Sequence, residues 1–296
     1  MKSLTTYTNE LTNFVGKLNV PTHESGVRYP KLSIITPSYN QANFLERTIL
    51  SILNQGYPNL EYIVIDGGST DHSVEVIRKY EKYITYWVSE KDSGQVDALN
   101  KGFDQATGDW VGFQNSDDVY FPDTFIRFGQ AVAKSPELDL VYGDLFIIDQ
   151  NDQVTELLKT VPFDIKSQLI EGMQIHNQSL FFKRELLEKC GSFDETFQFA
   201  FDYEFVTRFT MQNNTRVKRL NGLSGALRIH QDAKSSTIAS LGRKEHRVVQ
   251  ETYMDSISLP LPKYIMFYYL RLKKLFYFLS KGEWNYLVHR NTIRRK

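Results

Sequence analysis

The sequence has little cysteine, no excess of either charge and no long hydrophobic run. Its 296 residues include one cysteine, Cys190, which excludes an intramolecular disulfide and a cysteine-based zinc site and favours a reducing, cytoplasmic setting. Lys plus Arg number 35, as do Asp plus Glu, so the zero net charge excludes a globally basic nucleic-acid-binding protein. No segment reaches the roughly 18 apolar residues of a membrane span. Polar residues such as Asn9 and Glu10 interrupt the first twenty residues, where we therefore expect no export signal.

Two glycine-based nucleotide-binding motifs are missing as well. The turn GGSTD at residues 67–71 does not follow the pattern G-x-G-x-x-G, and the pattern G-K-[ST] does not occur. The sequence therefore disfavours a dinucleotide-dependent dehydrogenase and a P-loop ATPase.

From Lys31 onward, short β-rich runs alternate with helical segments. This alternation predicts an α/β domain with a largely parallel sheet, whose first strands are expected near residues 32–37, 60–66, 86–89 and 109–114. Ligands of such sheets bind beyond the carboxyl ends of the strands. We therefore expect residues 36–40 and 66–71 to face one crevice.

The fourth predicted strand runs directly into the sequence NSDD, residues 115–118. The adjacent carboxylates of Asp117 and Asp118 repel each other unless solvent or a cation neutralises them. Mg²⁺ or Mn²⁺ suits such oxygen ligands and keeps coordination positions for phosphate oxygens. By composition alone, NSDD is equally typical of an exposed turn, so both interpretations stay open.

Four motifs, SIITPSYNQ, VIDGGSTD, DALNKGFDQATGDWVGFQNSDD and FAFDYEF, together resemble the inverting family 2 glycosyltransferases of the GT-A fold. The resemblance covers about residues 31–235. It implies a Rossmann-like, mixed, mainly parallel sheet flanked by helices. It also implies transfer of a sugar from a nucleotide-diphosphate donor, expected to be UDP-linked, to a hydroxyl acceptor in cell-surface polysaccharide or glycolipid assembly. We divide the chain into an N-terminal extension (1–30), a GT-A domain (31–240) and a helical, basic and aromatic C-terminal extension (241–296).

The resemblance also implies which residues bind the donor. The nucleotide-sugar contacts would be Thr36, Pro37, Ser38, Tyr39, Asp66, Gly68, Gln95, Asp97, Asn100, Lys101 and Asp117. Asp118 would be the principal ligand of Mg²⁺ or Mn²⁺, and His230 would reach the same metal or the diphosphate. Many members have a second acid where this chain has Gly67, so a contact to the nucleotide base would fall to Asp66, Asp71 or the backbone.

An inverting transfer needs a base that takes the proton of the acceptor hydroxyl. Asp202 matches the family's base position and stands where a helix is predicted to begin, a place that stabilises a carboxylate as the anion. The structural alternative for Asp202 is a simple helix N-cap. Glu204 is the rival base, but residues two apart do not share a helical face. We expect His176, Gln178 and Glu204 on the acceptor side, although His176 fits a polar turn before a strand equally well.

Residues 260–296 hold nine basic residues and one acid, which gives this tail a charge of +8 and leaves −8 on the rest of the chain. Apolar residues recur at helical spacing and predict one apolar face, with Lys263, Lys274 and Lys281 opposite. The residues of that face are Ile265, Tyr268, Tyr269, Leu272, Leu275, Phe276 and Leu279. Such a helix either packs on the protein's own core or a second subunit, as in a homodimer, or attaches to the inner face of the cell membrane.

Two functions other than sugar transfer remain compatible with the same residues. One is a non-catalytic nucleotide-sugar-binding protein, and the other is a metal-dependent hydrolase that replaces the acceptor by water. For a transferase, the acceptor would be a saccharide or a lipid-linked saccharide, and no nucleic acid is expected as a partner.

Overall fold

A computed structural model describes residues 2–22, 28–212 and 215–293. Within them the centre of the molecule is a sheet of nine strands in the order β3-β2-β1-β4-β8-β6-β9-β5, with β7 paired to β6. The strands are β1 (Leu32–Ser38), β2 (Leu60–Asp66), β3 (Tyr86–Ser89), β4 (Trp110–Phe113), β5 (Val119–Tyr120), β6 (Leu140–Ile148), β7 (Val154–Leu158), β8 (Phe181–Lys183) and β9 (Val217–Arg228).

The strands β3, β2, β1 and β4 run parallel to one another. Strand β8 lies antiparallel between β4 and β6, while β6 and β9 are parallel. Because β1 and β2 are paired so that Ser38 lies opposite Asp66, their carboxyl ends meet at one edge of the sheet. The predicted α/β fold with a mixed sheet flanked by helices is confirmed.

Helices cover both faces of the sheet and extend beyond it. They are α1 (Leu4–Val15), α2 (Ala42–Leu53), α3 (Ser73–Lys79), α4 (Gln95–Gln105), α5 (Thr124–Lys134), α6 (Ile165–Glu171), α7 (Glu185–Cys190), α8 (Phe201–Met211), α9 (Lys234–Thr237), α10 (Ala239–Met254), α11 (Lys263–Ser280) and α12 (Trp284–Ile293). Across the described part of the chain, none of them combines the length and apolarity that crossing a bilayer requires.

The apolar core forms two layers because side chains alternate along each strand. Ile34 of β1 belongs to the layer beneath α2 and α5, whereas its neighbour Ile35 belongs to the layer beneath α4 and α8. In the second layer the Phe193 ring lies 4.1 Å from that of Phe205 and 5.0 Å from that of Phe103, centroid to centroid. Much of the chain's high aromatic content therefore fills the core around the sheet.

Helix α1 packs on the same body. Leu11 and Val15 are fully buried beside strands β5, β6 and β7. The Asn54 side chain, at the end of α2, donates to the Lys17 carbonyl (2.9 Å) and accepts from the Asn19 N–H (2.7 Å). The segment that the sequence sets apart as residues 1–30 thus begins with a helix that is docked on the sheet.

Helix α11 docks on α6, but through the side opposite to the predicted apolar face. Met266 and Leu270 are buried against Ile170, and the Phe278 ring lies 5.0 Å from that of Tyr286. The predicted face remains 38–66% exposed. The helix therefore packs on the protein's own core, one of the alternatives, but it does so through the side that holds Phe278 and not through the predicted face. The basic residues Arg294, Arg295 and Lys296 lie outside the described residues.

A buried arginine joins three segments at the end of β9. Arg228 is 1% exposed, and its guanidinium bonds the Asp152 carboxylate (2.7 Å), the Asp149 carbonyl (2.9 Å) and the Asp117 carbonyl (2.7 Å). The guanidinium carbon also lies 5.0 Å from the Phe44 ring centroid. Since a buried charge is costly without partners, this side chain should matter for stability.

We expect Arg228→Met to lower the free energy of unfolding by about 3–5 kcal/mol, because the buried carboxylate of Asp152 keeps only Arg47 (3.4 Å) as an ion-pair partner and the carbonyls of Asp117 and Asp149 lose their donor. Urea unfolding followed by circular dichroism measures the loss. The matched control is Lys189→Met, which removes the exposed ion pair with Glu185 (62% and 45% exposed) and should cost less than about 1 kcal/mol. Equal losses in the two variants would contradict the prediction.

Candidate functional site

The loops after β1 and β2 are bonded to each other at the carboxyl edge of the sheet. The Asn40 N–H donates to Ser69 Oγ (2.8 Å), and the Thr70 N–H donates back to Asn40 Oδ1 (2.8 Å). Asn40 (φ 51°) and Gly68 (φ 78°) both take left-handed backbone conformations, which these residue types tolerate best. The two loops therefore form one wall, as predicted.

The predicted donor residues of β1 differ in how far they can reach a ligand. Thr36 and Pro37 are buried, and Thr36 is within hydrogen-bond distance of the Tyr62 hydroxyl (3.2 Å). Ser38 is buried at the very end of the strand, whereas Tyr39 is 59% exposed. Ser38 and Tyr39 are thus the members of this group that border the crevice.

Neither Asp66 nor Asp71 is free to contact a nucleotide base. Asp66 is fully buried and accepts bonds from the Ser69 N–H (2.9 Å), the Ser69 hydroxyl (2.6 Å) and the Ser89 hydroxyl (2.6 Å). Asp71 accepts from the Ala42 N–H (3.0 Å) and the Ser73 N–H (2.9 Å). Both carboxylates hold the loops together.

A different carboxylate lies beside the position where the second acid is missing. A Cβ placed on Gly67 would lie 2.6 Å from Oδ2 of Asp92, so this carboxylate occupies the space of a side chain at position 67. Burial raises the pKa of Asp92, and the hydrogen bond that its carboxylate accepts from the Gly94 N–H opposes this rise. No local pattern singles out Asp92, because the contact joins loops that follow two different strands.

Of the four predicted residues in α4, one reaches the acidic segment. Gln95 donates its amide to Asn115 Oδ1 (2.6 Å). Asp97 accepts from the Ser93 N–H (2.8 Å) at the start of its own helix. Asn100 exchanges two bonds with the backbone of Phe193, both 3.0 Å, and Lys101 is 3.4 Å from each of two carboxylates, Glu90 and Asp97. Asp97, Asn100 and Lys101 thus act mainly on the protein itself.

Asp118 is fully buried and surrounded by hydrogen-bond donors. Its Oδ1 accepts from the Arg228 N–H (2.8 Å), and its Oδ2 accepts from the amides of Gln178 (2.8 Å) and Asn115 (2.9 Å). Burial and the neighbouring Asp117 raise the pKa of Asp118, against the effect of these donors. Since both oxygens are already bonded, this geometry disfavours Asp118 as the principal metal ligand.

Beside Asp118, the partly exposed carboxylate of Asp117 lies against the largely buried ring of His230. His230 Nε2 is 3.0 Å from Asp117 Oδ2, and the Asp117 side chain is 18% exposed. The His230 ring packs against Phe44, with 4.6 Å between centroids. Carboxylate oxygen and imidazole nitrogen both suit Mn²⁺, and Mg²⁺ is typically held by one or two carboxylates together with substrate phosphates. The pair therefore fits a divalent ion, although no cluster of three acidic, histidine or cysteine ligands occurs among the described residues.

Two buried side chains near these strand ends have polar atoms without partners in the described part of the chain. They are the hydroxyl of Ser38 and both amide atoms of Gln114, which are fully or almost fully buried. Buried polar groups are nearly always hydrogen-bonded, so unpartnered ones call for an explanation such as a bound ligand. Gln114 directly precedes the NSDD segment, and its residue type alone gave no signal.

Asp202 lies near this crevice at the start of α8. The neighbouring Phe201 ring is 6.4 Å from that of Phe113, the last residue of β4. Burial raises the pKa of Asp202 to about 7; the backbone N–H groups at the helix start and the charge of Lys234 oppose this rise. Lys234 also interacts electrostatically with Asp117. The helix start stabilises the anion, as expected, but burial is the larger effect and favours the protonated form.

Glu245 of α10 positions the start of α8. Its carboxylate accepts from the N–H groups of Gln198 (3.0 Å), Phe199 (2.9 Å) and Ala200 (2.8 Å). Asp202 instead accepts from the adjacent Tyr203 N–H (2.8 Å). Asp202 is therefore the second residue of α8 and not its N-cap, which is Ala200. The turn just before the helix is held by Glu245, a residue 43 positions further along the chain, which local sequence patterns do not reveal.

The three residues expected on the acceptor side have different surroundings. Glu204 is buried, forms an ion pair with Arg208 (2.8 Å) and accepts from the Tyr253 hydroxyl (2.7 Å), so it is a structural residue and no rival base. Gln178 supports Asp118, and the turn that carries it packs tightly on β9, where a Cβ on Gly225 would lie 1.8 Å from the Gln178 carbonyl oxygen. His176 is half-buried, and burial lowers its pKa to about 4.

Sequence comparison finds relatives that are described as glycosyltransferases. An uncharacterized glycosyltransferase of Mycobacterium tuberculosis is 34% identical over 181 residues, which cover 60% of this chain and 68% of the relative. A PGL/p-HBAD biosynthesis glycosyltransferase of Mycobacterium bovis is 31% identical over 185 residues, which cover 60% of this chain and 69% of the relative.

Solved structures share the fold at lower identity. TarS residues 1–349 of S. aureus, in complex with UDP-GlcNAc, match with a TM-score of 0.55 and 20% identity over 70% of this chain and 61% of that chain. The mannosyltransferase PcManGT of Pyrobaculum calidifontis, in complex with GDP-Man and Mn²⁺, matches with a TM-score of 0.58 and 21% identity over 88% of this chain and 74% of that chain.

The family described as glycosyl transferase family 2 matches residues 33–201, from β1 to the first residue of α8. This range includes the two bonded loops, the α4 start and the NSDD segment. It ends just before Asp202 and leaves His230 and Glu245 to the part of the chain that follows. With more than half of its residues matched, the chain belongs to glycosyl transferase family 2.

Proposed function

We propose that the protein transfers a sugar from a nucleotide-diphosphate donor to a hydroxyl acceptor with inversion of the anomeric centre. The observation that carries the proposal is the half-buried carboxylate of Asp202, whose pKa of about 7 is suited to a base near neutral pH. Lys234 interacts with both Asp202 and Asp117, so the base and the candidate metal ligand border one crevice. Inverting transfer requires the base that activates the acceptor and the metal that stabilises the leaving diphosphate to be at separate places.

The donor nucleotide would bind at the carboxyl edge of β1 and β2. The hydroxyl of Ser38 and the amide of Gln114 are the buried polar groups left for it. Asp92, beside Gly67, would take the base contact that Asp66 and Asp71 cannot supply. We propose a UDP-linked sugar; the two structural neighbours, in complex with UDP-GlcNAc and GDP-Man, support a nucleotide sugar in general.

Asp117 and His230 would hold Mg²⁺ or Mn²⁺. The ion, when bound, stabilises the charge of the departing nucleoside diphosphate as a Lewis acid. Asp118 would have a structural role next to this pair, since Gln178, Asn115 and the Arg228 N–H donate to its carboxylate and fix its position. The complex of one structural neighbour with Mn²⁺ is consistent with a divalent ion in this fold.

Asp202 would accept the proton of the acceptor hydroxyl while the hydroxyl oxygen attacks the anomeric carbon. The bond from that carbon to the diphosphate oxygen breaks as the new glycosidic bond forms, and the nucleoside diphosphate leaves. We propose a saccharide or lipid-linked saccharide as acceptor, in cell-surface polysaccharide or glycolipid assembly. The relative named for PGL/p-HBAD biosynthesis supports such a setting.

A donor panel tests the proposal. The melting temperature is measured with UDP-, GDP- and dTDP-linked sugars, with and without Mn²⁺, because a ligand that binds only the folded state raises it. We expect a UDP-sugar to give the largest rise. Products are then analysed with the selected donor: release of free sugar without acceptor would indicate a hydrolase, and binding without any turnover would indicate a nucleotide-sugar-binding protein.

Asp202→Asn should lower the transfer rate by about 10²–10⁴-fold, because the amide cannot accept the proton. In the unchanged protein, kcat/KM should fall about tenfold per pH unit below pH 7, where the carboxyl becomes protonated. Rates measured from pH 5 to pH 9 check both expectations. A variant that keeps most of its rate would exclude Asp202 as the base.

The same variant provides its own folding control. The pKa of Asp202 is raised from 3.8 to about 7 in the folded protein, so ionisation opposes folding and stability is lost as pH rises through this window. Asp202→Asn should therefore melt at a higher temperature than the unchanged protein at pH 8, with little difference at pH 4. A lower melting temperature at pH 8 would mean that the loss of rate reflects a damaged fold.

Asp117→Asn should remove most of the Mn²⁺-dependent rise in melting temperature with the donor, since it weakens one of the two candidate ligands. We expect at least a tenfold weaker Mn²⁺ affinity in the presence of donor. The matched control, Asp104→Asn, changes an exposed acid of α4 and should leave the affinity unchanged. An Asp117 variant with unchanged Mn²⁺ affinity would exclude this residue from the metal site.

A further inference from the structure

One face of α11 exposes a continuous row of large apolar side chains. Eight residues at helical spacing are 38–68% exposed: Tyr264, Ile265, Tyr268, Tyr269, Leu272, Leu275, Phe276 and Leu279. At about 200 Å² per aromatic side chain, the four aromatic rings alone expose roughly 500 Å². We call this row the α11 face. The largest apolar patch of a whole monomer is typically about 300–600 Å² and is often functional. The aromatic rings of the α11 face alone reach that range, and its four aliphatic side chains enlarge it.

The rest of α11 is fixed on the protein, so the α11 face cannot turn inward without undocking. Met266 and Leu270 are almost fully buried. Lys273 forms an ion pair with Asp164 (2.6 Å), and Lys274 forms one with Glu171 (3.1 Å). The helix is about 27 Å long at 1.5 Å per residue, and it presents the α11 face along this length.

The charged side chains of α11 itself are all positive. Lys263, Arg271 and Lys281, just beyond the helix end, are exposed, and α11 contains no Asp or Glu. The exposed Trp284 (63%) extends the aromatic surface into α12. Exposed Tyr, Trp and Phe next to Lys and Arg is the composition of helices that lie at the interface of an anionic membrane.

We infer that the α11 face docks on the surface of a bilayer that contains anionic lipids. The main competing occupant is a second copy of the chain, paired about a two-fold axis. That arrangement would bring Arg271, on the flank of the α11 face, and the other cations of two α11 helices together with no acid on either helix, so like charges would oppose it. Anionic headgroups neutralise the same cations and therefore fit better.

The docked side of α11 contacts the segment that leads to the candidate site. Lys274 of α11 donates to the Gln174 side chain (2.5 Å), four residues before Gln178, which bonds Asp118. The attachment is independent of the proposed sugar transfer, since it depends only on the apolar and charged residues of α11. It can accordingly be tested without any donor or acceptor.

The test is cosedimentation of the full chain with vesicles of phosphatidylcholine and phosphatidylglycerol (1:1), compared with pure phosphatidylcholine. We expect binding to the anionic vesicles, at least tenfold weaker binding to the neutral ones, and weakening with NaCl because salt screens the cations. The triple variant Tyr268→Ser, Leu272→Ser, Phe276→Ser should bind anionic vesicles at least tenfold more weakly. A control with Tyr86→Ser and Val248→Ser, exposed apolar residues of β3 and α10, should bind normally.

All variants change exposed side chains, so their melting temperatures without lipid should match that of the unchanged protein. Absence of vesicle binding, equal binding by the triple variant, or equal binding to neutral and anionic vesicles would overturn the inference. So would light scattering that shows a dimer abolished by the triple variant in the absence of lipid, since the α11 face would then be an interface between two copies.

Discussion

The end of β9 fixes the acidic segment through Arg228. Its backbone N–H bonds the carboxylate of Asp118, while its side chain bonds the carbonyl of Asp117 and the carboxylate of Asp152. One residue thus bonds both members of the acidic pair and joins them to the turn between β6 and β7. Because His230 follows the last residue of β9 by only two positions, the end of this strand also brings the imidazole against Asp117. The candidate metal pair therefore depends on a buried arginine that cannot itself contact a ligand freely.

The strand-end motifs could be predicted from the sequence because they are local: each follows a β-rich run and precedes a helical one. The roles of Asp117 and Asp118 could not be predicted in the same way. The two residues are adjacent and chemically identical, and the difference between them comes from Arg228, 110 positions away, and Gln178, 60 positions away. Such contacts leave no periodic pattern near the acids, so burial of Asp118 appears only once the chain is folded.

Helix α11 shows a second limit of periodicity. Its sequence is apolar on more than one side, so the spacing indicates a helix but not which side docks. Docking is decided by Ile170 on α6, which receives Met266 and Leu270, and by acids that meet Lys273 and Lys274. The largest apolar stripe of α11 consequently remains exposed. The positive charge that the sequence concentrates in the tail therefore lies on the same helix as this exposed aromatic surface.

The contrast between Asp202 and Glu245 explains how a carboxylate can remain available at a helix start. Helix N-termini leave N–H groups unpaired, and a nearby acid is normally drawn into bonding them. Here Glu245 satisfies three consecutive N–H groups, at residues 198–200, from a different helix. Asp202, by contrast, bonds only the helix start beside it and is held in a buried place that favours its protonated form. A carboxyl group so placed gains little by staying charged, and this is the electrostatic condition under which it can accept a proton and release it again near neutral pH.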